Sequence, residues 1–117
     1  YIGQTMEDAC FGAKSEFEDL DLDHELLSNL AMAVTITKSG YSAHLILMGM
    51  DSVKTHDLLG ILAHECLHTS WHILEKVGVQ LDAINHEAQA YLLEHIFKNC
   101  KDALKHYIKT YKLKHKL

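Results

Sequence analysis

Two histidines enclose a glutamate in His64-Glu65-Cys66-Leu67-His68, an H-E-x-x-H arrangement. On an α-helix, residues four apart lie about 40° apart around the axis and one turn apart along it. Both imidazoles can therefore reach one ion, and neutral imidazole nitrogens are good donors to Zn2+. Glu65 sits beside them but is rotated too far to be an equal ligand. It is placed instead to take a proton from a water that the ion activates. A third donor is available in Glu87, separated from His68 by 18 residues. Glu87 can equally be an acid favoured by the dipole at the start of the next helix. His86 and His72 are alternatives; His72 extends the series of fours but stands about 80° from His64. Tyr91, one turn after Glu87, is a candidate to hydrogen-bond a tetrahedral oxyanion, or else a packed aromatic. Cys66 points to the apolar side, as a buried and inert thiol. Glu94 and His95 read as outer or solvated groups, and Trp71 and Gly60 as flanking the metal face.

These residues need helices to hold them. Asp51, Ser52 and Thr55 are possible N-caps for a helix ending near Gly78, a C′ glycine. Its apolar stripe is Leu59, Leu62, Cys66, Ile73 and Val77, opposite the two histidines. A last helix is expected from Asp82 or Asn85 into the Lys-rich tail. Through Ala88, Leu92, Leu93, Ile96, Phe97 and Leu104 it reads as apolar nearly all round, with one polar stripe of Glu87, Tyr91, Glu94 and His95. A buried helix with such a stripe needs something for the stripe to face. Upstream, Thr5 opens a first helix with Ala9, Ala13, Phe17 and Leu20 at helical spacing. The acidic stretch from 16 to 25 reads as including a loop. Residues 32–37 and 41–48 are rich in β-formers, and Ser39-Gly40 between them is a hairpin signal.

H-E-x-x-H, 18 residues and Glu together resemble the gluzincin branch of the zincin metallopeptidases, over about residues 42–97. The run His86-Glu87-Ala88-Gln89-Ala90-Tyr91-Leu92-Leu93 is also similar to small zincin-like proteins encoded by phages and prophages. The resemblance implies that His64, His68 and Glu87 bind catalytic zinc, that Glu65 is the general base, and that the reaction is peptide hydrolysis. Many gluzincins carry an acid four residues after the ligand Glu; this chain has Tyr91 there, which alters the support of the zinc-bound histidine. The implied fold is α+β: one zincin-like domain over residues 1–117, with a short twisted sheet packed on the metal helix and a C-terminal helix. Segment 42–48, just before the metal helix, is expected to pair with an extended peptide.

Composition bounds the partners. With 117 residues, 48% hydrophobic and 23% charged, the chain has the balance of one folded domain. No apolar run approaches the roughly 20 residues that cross a bilayer, so no membrane partner is expected. Residues 1–25 hold eight acids against one Lys, and residues 98–117 hold seven Lys against one Asp. A basic tail attracts phosphates, yet the chain has no Arg, the usual source of bidentate base contacts. A peptide or protein substrate is therefore expected rather than nucleic acid. The start of the chain carries no signal-peptide pattern, and Cys10, Cys66 and Cys100 are widely spaced, so a reducing, cytoplasmic setting is expected. Two readings from other classes stay open: a phage structural or assembly protein that binds metal without turnover, and a DNA-associated protein with structural zinc. Oligomeric state is not written in the sequence.

Overall fold

The computed structural model describes residues 1–17, 31–38, 41–50 and 57–113. Their order is β1 (Ile2–Gly3), α1 (Met6–Glu16), β2 (Ala31–Lys38), β3 (Tyr41–Gly49), α2 (Leu58–Lys76) and α3 (His86–Thr110). The fold is α+β, with a small mixed sheet ordered β1-β3-β2. The Thr5 side chain accepts from the Asp8 N–H while Asp8 accepts from the Thr5 N–H. This capping box starts α1 where the sequence places it.

β2 and β3 pair antiparallel from Ala31↔Met48 to Lys38↔Tyr41. Ser39 and Gly40, the expected turn, lie outside the described residues, as do Leu20, most of the 16–25 stretch and the caps considered at Asp51, Ser52 and Thr55. β1 pairs parallel with β3 on its other side, Ile2 opposite Met48 and Gly3 opposite Gly49. Its two residues carry no periodicity that a sequence reading can detect. The strand order narrows one expectation. Segment 42–48 lies in the middle strand, paired along one edge with β2, while on the other edge β1 covers only its end, Ile2 opposite Met48, so that an added peptide would be confined to the part of that edge before the β1 pairing. The edge strands are β1 and β2, and of these the eight-residue β2 offers the longer outer edge.

Alternation along the strands divides the core into two layers. Met32, Leu45 and Leu47 pack with Met6, Ala9, Cys10 and Ala13 of α1 on one face. Ala31 and Met48 pack with Leu58, Leu62, Cys66 and Leu104 of α2 and α3 on the other. At Gly3 and Gly49 no side chain intervenes. A Cβ on either would collide with the backbone at the start of α1, so the helix rests directly on the sheet.

α2 ends at Lys76, and Gly78 takes φ +78° just beyond it, the left-handed conformation that a C′ glycine supplies without strain. Its buried arc, Leu58, Leu62, Glu65, Cys66, Thr69, Ser70 and Leu74, is broader than the expected stripe, because α2 is wedged between the sheet and α3. Val77 falls beyond the last helical turn and is 67% exposed. α3 also departs from expectation. Only Leu104 is fully buried, Ala88 is exposed, and Leu93, Ile96, Phe97, Cys100, Tyr107 and Ile108 form one packed face. It is an amphipathic surface helix, and its polar stripe faces water.

Candidate metal centre

His64 and His68 project from one side of α2, each exposed, with their Nε2 atoms 3.1 Å apart and their rings edge to face. At that distance one ring nitrogen donates to the other, the roles being set by the tautomers. In a tetrahedral zinc site with Zn–N of about 2.0–2.1 Å, neighbouring nitrogens stand about 3.3 Å apart. The pair therefore fits two ligands of one ion, which would replace the proton they share. Glu65, 8% exposed, lies on the same helix toward the sheet.

The histidines and Glu65 line an open groove of about 590 Å³ whose opposite wall is β2, residues 31–35. The side chains of β2 that share the α2 face are Ala31, Ala33 and Thr35, alternating with the larger Met32 and Val34 that face α1. Small side chains on that face leave room above Glu65. Sequence reasoning registered this strand only as β-forming. The signal lay in Ala31-Met32-Ala33-Val34-Thr35, where small and large residues alternate with the strand period.

Farther along the groove stands His72, half-buried, with its Nδ1 buried and unpartnered. His44 lies near it on β3, its Nδ1 3.0 Å from the Thr35 hydroxyl of the paired residue. Burial first, then the neighbouring His72 and Lys76, hold the His44 pKa below its ordinary 6.5. Imidazoles thus follow the groove floor from His64 through His68 to His72, with His44 alongside. His72 is too far along α2 to share an ion with His64, since eight residues span about 12 Å of helix.

The structure does not bring Glu87 to the histidine pair. Cys66 and Cys100 pack in the same core layer where α2 and α3 meet. Glu87 does not line the groove that holds His64, Glu65 and His68. The physical reason is helix length. α2 runs eight residues past His68, whereas Glu87 is only the second residue of α3. There its side chain is 68% exposed, with His86 Nδ1 3.9 Å from its Oε1, and it suits the N-terminal dipole. Asp82 shapes this start by accepting from the Ile84 and Asn85 N–H groups. Tyr91, one turn on, is 69% exposed, so it is neither packed nor at the groove. Glu94 and His95 are also exposed. Trp71 borders a separate concavity with Glu75 and residues 78–81, and Gly60 is exposed near the start of α2. Among the described residues, no three His, Cys, Asp or Glu side chains gather closely enough to hold an ion.

No family model matches the chain, and no curated protein or solved structure is significantly similar to it.

Proposed function

We propose that this chain is a zinc-dependent peptide hydrolase of zincin type, with His64 and His68 holding the metal and Glu65 as general base. The observation that carries the reading is the Nε2 pair at 3.1 Å in one groove with the Glu65 carboxyl. When bound, the metal would polarise the scissile carbonyl and make the attacking water more acidic. Glu65 takes the proton from that water and passes it to the leaving amine as the C–N bond breaks. Its burial against β2 restricts its motion and keeps bulk water from competing for the proton. An extended peptide would lie along the outer edge of β2, its backbone pairing with the strand and its side chains passing over Ala31, Ala33 and Thr35.

The test is zinc stoichiometry followed by peptide-library digestion. Zinc-loaded chain should hold one ion and cut an extended peptide. Glu65→Gln should keep the zinc and lose about 10²–10⁴-fold in hydrolysis, because an amide cannot accept the proton. A parent chain that takes up no stoichiometric zinc would overturn the reading, as would a Glu65→Gln variant with full activity.

A further inference from the structure

Beyond the histidine groove, an open concavity of about 680 Å³ lies at the C-terminal end of α2, bounded by Trp71 and Glu75 and by the turn over residues 78–81. Trp71 is 51% exposed, a large ring left half in water. Glu75 stands four residues on, so the two side chains are neighbours on one face of the helix. Glu75 is exposed and makes no ion pair among the described residues. Lys76, next in the chain, lines the space beside Thr35 and His72 instead. The turn is fixed before anything binds. Gly78 donates its N–H to the Glu75 carbonyl at 3.1 Å, Val79 to the Leu74 carbonyl at 2.9 Å, and the Asn85 side-chain amide to the Gln80 carbonyl at 3.0 Å. A Cβ at Gly78 would meet nothing within 4 Å, so the mouth is open on that side.

Three features here favour positive charge. The indole face carries the negative lobe of its quadrupole, Glu75 supplies a carboxylate, and the end of α2 adds the negative pole of the helix dipole. We propose that this concavity binds the guanidinium of an arginine side chain on a peptide or protein partner. A guanidinium is planar, so it lies flat on the indole while its edge donates to the Glu75 carboxylate. Its aliphatic stem runs over Val79 and Leu81, which are half-buried in the same wall. A lysine ammonium has no flat face to stack, and it gains less from a single ring beside a single carboxylate. The partner is not a second copy of this chain, which contains no Arg. The site is independent of the zinc reading, since neither Trp71 nor Glu75 lines the histidine groove.

Trp71 is the one tryptophan of the chain, so its fluorescence reports the site directly. The full chain, with no metal added, is titrated with Nα-acetyl-arginine amide. A saturable change in emission is expected in the millimolar range, the affinity of a single side chain held by a few contacts. The citrulline analogue, which has the same shape without the charge, should give none. The lysine analogue should bind more weakly, and so should guanidinium ion alone, which lacks the stem. Glu75→Gln, at an exposed position, should weaken binding about threefold, the size of a good exposed ion pair. His64→Ala should leave it unchanged. Amide shifts in a nuclear magnetic resonance titration should follow the same curve at residues 75–81. Absence of saturation, or a citrulline analogue that binds as well as arginine, would overturn the proposal. So would unchanged affinity in Glu75→Gln, tighter binding of lysine, binding of guanidinium ion equal to that of the arginine amide, weakened binding in His64→Ala, or shifts confined to the histidine groove. The neutral analogue decides the matter on the parent chain if a variant fails to fold.

Discussion

Replacing Glu87 by Gln should leave zinc affinity almost unchanged, and the expected size follows from the helical hairpin. α2 runs on from His68 to Lys76, about 12 Å of helix, and Glu87 is the second residue of the helix that follows, outside the groove of the histidine pair. At about 12 Å in water, one unit charge and a divalent ion attract by about 0.7 kcal/mol. A Debye length of about 8 Å at physiological salt cuts this to about 0.15 kcal/mol. Kd should therefore move by less than about 1.5-fold. Removing His64 or His68 instead deletes one of the two nitrogens that stand 3.1 Å apart. The loss should be at least the roughly 100-fold that marks the upper end for supporting residues, equivalent to about 2.8 kcal/mol. Competition titration against a zinc-binding dye, at two salt concentrations, measures all three variants. A tenfold or larger weakening in Glu87→Gln would refute the register reasoned here, because that carboxylate would have to be at the ion.

Leu104→Ala, at a wholly buried position between α2, α3 and the sheet, should cost about 2–5 kcal/mol in chemical denaturation; Tyr91→Ala, at an exposed position, should stay within about 0.5 kcal/mol. Gly49→Ala should destabilise the chain more than Gly60→Ala, since only the former meets backbone; equal urea midpoints would show that α1 does not rest on the sheet. His44, whose pKa is held below 6.5 by burial and then by His72 and Lys76, is protonated more readily when unfolded. Its contribution is therefore intact above pH 6.5 and is lost as pH falls from there to its lower folded value, by at most about 1.4 kcal/mol per pH unit. His44→Gln should flatten that limb of the stability profile.

Local chemistry was legible in the sequence. Thr5 announces the first helix, Gly78 the end of α2, and the spacing of His64 and His68 brings two nitrogens together without any tertiary information. Placement between elements was not. Eighteen residues between His68 and Glu87 count chain, whereas the ligand question is one of axial translation, decided by where α2 stops and α3 starts. The stripe on α3 is likewise the same pattern whether it faces an ion or water. Strand order hid for a related reason: β3 becomes the middle strand through β1, whose two residues leave no periodic trace. The three small residues of β2 were readable, but their meaning depends on which helix lies above that face.

The parallel pairing of β1 with β3 also orders events in time. Ile2 and Met48 are neighbours in space but are separated by most of the first half of the chain. β2 and β3 pair through a two-residue connection, the kind of contact that closes in microseconds. β1 cannot pair until β3 exists, and during synthesis at about 5–20 residues per second it waits seconds for its partner to be made. α1 waits with it, since its resting surface is the glycine pair of those two strands. The sheet is thus completed only once its later-made hairpin is available to pair with β1.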